Sequence, residues 1–363
     1  MTVKQKVLVL GKPKQQFLKE FNGKFEFIHY EITTLEKVLH DFQTKLADIE
    51  AIYAGWSGFH KIGGFRGKLI SFAPKNLRII ASCTVGYDHY DSQGMAERGI
   101  ILTNVPSQIA FEAVADLVLY NTITSFRNFK IFENHFGPDI GHTAIIRTSV
   151  VEGEFDQQSG KALIQTTFGD GYADACCGRE NLSPRGHNAV IVGFGNIGKL
   201  IATRLACIGM NIHYVKRRPL SAEEEKSVGI KMTYHQSLAD TADFADLIVI
   251  ACPGTPATKH MINEDLINKM KKQVRIINIG RGYVIHEEAL VNGLKSGKVL
   301  FAGLDVFEHE PGVHPELFGR EDVVLTPHIG SAITENDKFT AMTSLKNIET
   351  VLFGYSRELT RVN

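Results

Sequence analysis

The stretch from Asn188 to Arg218, NAVIVGFGNIGKLIATRLACIGMNIHYVKRR, constrains the fold more than any other part of this chain. Ala189 to Val192 form an apolar run long enough for a buried strand. Gly193, Gly195 and Gly198 follow at the spacing G-x-G-x-x-G. Ile197, Ile201, Leu205 and Ile208 then recur every three or four residues, as on one face of a helix. Ile212 to Val215 supply a second apolar strand. In such a unit the first glycine permits the tight turn, the second lets a pyrophosphate approach the backbone, and the third lets helix and strand pack closely. Unpaired N–H groups and the positive dipole end at the helix start hold the phosphates. Glycines set between a strand and a helix are the context that separates a dinucleotide site from an ordinary Gly-rich turn. Gly193, Gly195, Asn196, Ile197 and Gly198 are therefore expected to bind the cofactor.

A chain of 363 residues is long enough for two domains, each with its own core. Forty basic and forty acidic residues cancel, so the global charge points to neither nucleic acid nor a membrane surface. The five cysteines are odd in number, and the adjacent pair Cys176–Cys177 lacks metal-ligand spacing. No metal site is expected. The apolar run near the start, in MTVKQKVLVLGKP, is too short for a signal peptide, and no run reads as long enough to span a bilayer. The expectation is a reduced, soluble, cytoplasmic protein.

In the first hundred residues Val7–Leu10, Phe25–His29, Ala51–Ala54, Arg78–Ala81 and Ile100–Leu102 read as strands. Leu35, Val38, Leu39, Phe42 and Leu46 make a helical stripe between two of them. Such alternation predicts a parallel sheet with helices on both faces. Gly86, in the loop CTVGYD, would let bare backbone N–H groups face an anion. Trp56, Phe59 and Phe65 are candidates for either a partly apolar pocket or the core. Thr103-Asn104-Val105-Pro106 reads as a hinge, and a long helix is expected from Gln108 to Phe126. Residues 129–186 carry eight glycines and two β-branched runs, AIIRTSVV and ALIQTTF, around DQQSG, which predicts a helix-free hairpin excursion. Beyond Arg218, Asp246–Ala251, Val274–Ile279, Val299–Leu304 and Val323–Thr326 read as strands, and Glu264–Met270 and Glu287–Leu294 as helices. A last amphipathic helix from about Ile333 is expected to cross back onto the first domain.

Three further stretches end late strands: NIGRGYVI, GLDVFEHEP and TPHIGSA. They deliver Arg281, Glu310 and His328, polar groups that chemistry could use. With VGYDHYD, NVPS, VGFGNIG and CPGTPATKHMI, these motifs resemble the D-isomer-specific 2-hydroxyacid dehydrogenases, in the glyoxylate/hydroxypyruvate reductase branch. The resemblance runs from Ser71 to Gly354, apart from 129–186. It implies an α/β fold of two Rossmann-like or flavodoxin-like domains with parallel sheets and the active site in the cleft between them. Residues 1–105 with 331–363 would form the substrate-binding domain, and 106–330 the dinucleotide-binding domain.

The resemblance assigns Arg281 to the carboxylate and carbonyl of a 2-keto acid, a task that suits a planar fork. His328 would give a proton to the carbonyl oxygen as hydride arrives, and Glu310 would fix its tautomer and favour its protonated form. Val85 and Gly86, with Arg281 and His328, would bind the substrate. Cys252, Pro253, Thr258, Ile279, Gly280, Asp305 and Gly330 would line the cofactor, with the glycine turn.

NAD-users place an acid at the end of the second nucleotide strand, whereas Lys216, Arg217 and Arg218 stand here. The expected cofactor is therefore NADPH, with NADH as the weaker alternative. The leading reading is a reductase of a small 2-keto acid, making the D-2-hydroxy acid and working as a homodimer. A nucleotide-sensing transcriptional corepressor of the same family is the alternative. A formate dehydrogenase is disfavoured, because that branch lacks the Glu beside its His.

Overall fold

The computed structural model describes residues 4–363, whose contacts divide into two units: residues 4–110 with 332–363, and residues 111–331. In the first unit five strands, β1 (Gln5–Leu10), β2 (Phe25–Tyr30), β3 (Ala51–Ala54), β4 (Ile79–Ser82) and β5 (Ile101–Thr103), form a parallel sheet in the order β2-β1-β3-β4-β5. Alternate side chains feed two cores, as the two-residue period of a strand dictates. Leu8, Leu10, Ile52 and Ile80 pack with Val38 and Phe42 of the helix Leu35–Gln43. Val7, Val9, Tyr53 and Ile79 pack on the other face with Leu345, Ile348 and Leu352. These last belong to the helix Thr334–Phe353, which returns to the first unit as its amphipathic pattern suggested. Ser344 Oγ donates to the Ser82 carbonyl at 3.2 Å, and an Arg78 Nη donates to the Leu352 carbonyl at 3.1 Å. Phe59 and Phe65 are fully buried in core, while Trp56 is exposed, so the first two are core residues and line no pocket.

The excursion departs from expectation. Ala144–Val151 lies in a helix, Thr143–Val151, preceded by another, Phe129–His135. His142 caps the former, its Nδ1 accepting from the N–H of Ala144 at 3.2 Å and of Ile145 at 3.4 Å. Ile146 and Val150, one helical turn apart, bury against Ile131, Ala162, Cys176 and Cys177. Packing of that face overrides the β preference of the branched residues. A hairpin does form around DQQSG, but its strands are β6 (Glu154–Asp156) and β7 (Lys161–Leu163), followed by the short pair β8 (Ala175–Cys176) and β9 (Arg179–Glu180). The hairpin is tied down: Ala162 N–H donates to Glu321 Oε2 at 2.7 Å, and Glu321 N–H to the Gly160 carbonyl at 2.7 Å.

In the second unit β10 (Asn188–Val192), β11 (Asn211–Val215), β12 (Met232–His235), β13 (Leu247–Ile250), β14 (Val274–Asn278), β15 (Val299–Leu304) and β16 (Val323–Leu325) form a parallel sheet in the order β12-β11-β10-β13-β14-β15-β16. The order reverses between β10 and β13, and a crevice outside the carboxyl ends at such a point is where α/β sheets bind ligands. Strand β12 escapes the sequence reading because MTYH is a half-buried edge strand without an apolar run. The helix Gln108–Arg127 is by length and composition able to cross a membrane, contrary to the sequence reading, but Ala115, Val118 and Phe126 bury it in the core beside β10 and β13.

Candidate active site

The glycine turn follows β10 directly. Gly193 adopts φ +93°, and a Cβ there would fall 2.5 Å from the Cys252 Cα, so only glycine lets the two strand ends lie side by side. A Cβ on Gly198 would fall 2.3 Å from the Gly193 carbonyl oxygen, which fixes how closely the helix Asn196–Cys207 sits on the turn. Gly195 is different: nothing lies within 4 Å of its absent Cβ, so open space faces the helix start. Within that helix the first N–H with a backbone acceptor is that of Lys199, bonded to the Gly195 carbonyl at 3.0 Å. A dinucleotide pyrophosphate fits this cradle, where the preceding helix N–H groups have no backbone acceptor among the described residues.

Gly193 N–H also bonds the Val215 carbonyl at 2.9 Å, so Lys216, Arg217 and Arg218 leave β11 beside the turn. Arg217 and Arg218 are exposed and make no ion pair among the described residues. Across the turn, a Cβ on Gly280 would lie 2.8 Å from the Cys252 carbonyl oxygen. Thr258 Oγ1 donates to the Pro253 carbonyl at 3.0 Å, and Ile279 N–H to the Ile250 carbonyl at 3.2 Å. Burial pushes the Cys252 thiol up to about 11, so it stays protonated at neutral pH.

Asn278 ends β14 and is fully buried, a polar residue closing an apolar strand. Its Nδ2 donates to the Arg281 carbonyl at 3.0 Å, and its Oδ1 accepts from the Gly280 N–H at 3.0 Å. These bonds shape the turn carrying Arg281, whose Nη1 donates to the Gly280 carbonyl at 2.9 Å. Sequence reading missed this role. The available signal was a lone amide at the end of VRIIN. The next residue, Gly282, touches the Phe307 backbone, which brings the Arg281 turn onto the loop carrying Glu310.

Glu310 Oε1 accepts from the Phe307 N–H at 3.1 Å, and its Oε2 lies 3.1 Å from His328 Nδ1. A carboxylate there favours a proton on Nδ1, which makes Nε2 the nitrogen that exchanges a proton. His328 itself holds φ +56°, in the left-handed region that few side chains visit. Buried Asp305 supports that conformation: its Oδ1 accepts from Thr326 Oγ1 at 2.7 Å and Ile329 N–H at 2.8 Å, and its Oδ2 from Gly330 N–H at 2.9 Å. Asp305 and Gly330 thus shape the histidine loop from either side.

Val85 and Gly86 lie in the first unit, in a half-buried loop after β4. Asn104 Nδ2 donates to the Val85 carbonyl and Thr84 Oγ1 to the Gly86 carbonyl, both at 2.7 Å. With their carbonyls held, the two N–H groups find no acceptor among the described residues, an arrangement suited to an anion.

A family model described as D-isomer specific 2-hydroxyacid dehydrogenase, NAD binding domain, matches residues 171–330. The chain is 33% identical over 330 residues to a glyoxylate reductase of Thermococcus onnurineus, covering 91% of this chain and 87% of that protein. Among solved structures, the apo D-mandelate dehydrogenase of Rhodotorula graminis aligns with a TM-score of 0.82 and 30% identity, covering 99% of this chain and 98% of that one. An NADPH-dependent glyoxylate/hydroxypyruvate reductase of Sinorhizobium meliloti, in complex with NADP and malonate, aligns with a TM-score of 0.74 and 27% identity, covering 99% and 97%. The parallel sheets, the glycine turn and these likenesses converge, and the chain belongs to the D-isomer-specific 2-hydroxyacid dehydrogenase family, in its glyoxylate/hydroxypyruvate reductase branch, as an NAD(P)-dependent oxidoreductase.

Proposed function

We propose that the protein reduces glyoxylate, hydroxypyruvate or a near relative to the D-2-hydroxy acid, with NADPH preferred and NADH as a weaker alternative. The observation that carries the reading is the 3.1 Å contact of His328 Nδ1 with Glu310, on the loop that Gly282 joins to the Arg281 turn. Bound at the glycine turn, the nicotinamide cofactor supplies the hydride. Arg281 holds the keto acid by its carboxylate and carbonyl oxygens. His328 Nε2 delivers the proton to the carbonyl oxygen, while Glu310 stabilises the imidazolium and sets its orientation. In the reverse direction Nε2 takes that proton back. The NADPH preference rests on the basic segment beside the glycine turn, where an acid would repel a 2′-phosphate.

Oxidation of NADPH and NADH, followed by absorbance with a panel of small 2-keto acids, tests both parts. Turnover of none of them would overturn the reaction, and equal efficiency of the two cofactors would overturn the preference. Nothing in the site favours the corepressor reading. The working form proposed is a cytoplasmic homodimer, supported by the exposed Leu163, Phe168 and Tyr172 of the excursion, apolar groups that a second copy would cover. Sedimentation of the protein with Phe168 and Tyr172 changed to Ser checks this, and an unchanged dimer, or a wild-type monomer, would refute that interface.

A further inference from the structure

The second unit holds a cavity of about 500 Å³ at the amino ends of its strands, the end of the sheet opposite the glycine turn. Arg179 from β9, Asp246 before β13, Lys272 before β14, Arg275 within it, and Leu300 on β15 line it, with His187 before β10. Arg275 is 5% exposed. Its Nε donates to the Ser125 carbonyl at 3.1 Å, and its guanidinium carbon lies 4.0 Å from the Phe126 ring centroid. Arg179 is built alike. One Nη donates to the Leu300 carbonyl, and its guanidinium carbon lies 4.4 Å from the Phe155 centroid. Its other Nη is buried with no hydrogen-bond partner.

Neither guanidinium has a carboxylate at ion-pair distance among the described residues. Asp246 is already engaged by Lys272 Nζ at 3.1 Å, His187 Nδ1 at 3.5 Å and the Asn188 N–H at 2.8 Å. Glu180 stands exposed at the rim. Burial, and then the neighbouring charge of Arg179, pull Arg275 down to about 10. Asp322, already held by Arg320, and Asp246 attract Arg179 and Arg275 only from beyond ion-pair distance. Burying cations so weakly countered is unfavourable, and two that repel each other compound the cost. A ring covers one face of each guanidinium, and the Arg275 edge that Ser125 does not take is left for a ligand, the geometry that suits bidentate contact with an oxyanion.

We propose that this cavity binds a small phosphate-bearing anion, inorganic phosphate or a phosphate monoester, separately from the keto-acid site. Two guanidiniums on one cavity, beside the Lys272–Asp246 pair, match a compact dianionic head better than the spaced charges of a dicarboxylate. The volume leaves room for several carbons beyond the head.

Calorimetric titration and thermal unfolding in phosphate-free buffer at constant ionic strength test this, with inorganic phosphate, glycerol 3-phosphate and succinate as probes. Saturable binding of a phosphate probe with a rise in Tm is expected, tighter for glycerol 3-phosphate if the monoester is the natural form and for phosphate if the free ion is. Arg275→Met should weaken that binding by at least about tenfold and leave keto-acid turnover unchanged. Because it removes a buried charge that has no carboxylate at ion-pair distance among the described residues, this variant should be at least as stable as wild type without phosphate. A merely structural arginine predicts the reverse: lower stability in every buffer and no phosphate effect in wild type. Arg179→Gln, on the less buried partner, should lose binding likewise and decides the matter if Arg275→Met does not fold. Absence of phosphate binding to wild type, equal binding by wild type and the variants, or tighter binding of succinate would each overturn the proposal.

Discussion

Gly282 lies so close to Phe307 that a Cβ on the glycine would come within 1.9 Å of the phenylalanine's carbonyl carbon. The atoms in the way are backbone and cannot swing aside. This contact locks the turn that carries Arg281 onto the loop that carries Glu310. Gly282→Ala should therefore separate the two, costing roughly 1–3 kcal/mol of stability as overpacking does and lowering kcat/KM for the keto acid. Arg281→Lys should raise the keto-acid KM and lower turnover, because an ammonium cannot reproduce the planar fork. In both, NADPH affinity measured by fluorescence should hold, and its collapse would place Arg281 at the nucleotide instead.

His328→Ala should cut turnover by roughly two to four orders of magnitude, the range of general acid–base catalysis. Glu310→Gln keeps the shape of the 3.1 Å contact but removes the charge facing the ring. It should lower kcat with little change in cofactor affinity. Steady-state kinetics check both, and near-normal turnover in His328→Ala would remove the histidine from the chemistry.

Arg217 and Arg218 have no acidic partner to release among the described residues, so neutralising both should act on the cofactor alone. The wild type should favour NADPH over NADH by at least about tenfold in kcat/KM, equivalent to roughly 1.4 kcal/mol. The double substitution to Gln should raise KM for NADPH and leave NADH nearly untouched. Added salt should weaken the preference, since part of the attraction is screened Coulomb energy. A preference indifferent to both changes would return the basic turn to the surface.

His213 Nδ1 on β11 stands 3.0 Å from His235 Nε2 on β12, with Phe244 packed against both rings. Burial, and then the facing His235, hold His213 below its ordinary value of 6.5. The unfolded chain thus takes up this proton at a higher pH than the folded one. Stability from this site is full above pH 6.5 and declines as pH falls from there toward the lowered folded value. Urea midpoints measured from pH 8 to pH 5 should fall less steeply for His213→Gln than for wild type. Parallel curves would mean that His213 does not titrate as described.

By itself the sequence determined what depends on near neighbours along the chain. The strand, glycine turn and helix of Ala189–Cys207 are set by local sterics and a helical period, and they stand where that pattern places them. Most strands of both sheets were legible for a related reason: burial on two faces demands an uninterrupted apolar run. Tertiary structure decided what depends on distant partners. AIIRTSVV became helix because Ile146 and Val150 found Cys176, Cys177 and Ala162 to bury against. Strand β12 exists because β11 offers it hydrogen bonds, although its own residues are half polar. Whether Phe59 and Phe65 lined a pocket or a core could not be read from their neighbours in sequence, since an aromatic ring serves either. The approach of His328 to Glu310, the hold of Asp305 on the histidine loop, and the meeting of Arg179 with Arg275 all join residues far apart in the chain. Such contacts form only once the sheet sets which loops and strand ends are neighbours, because no local preference encodes a distance across it.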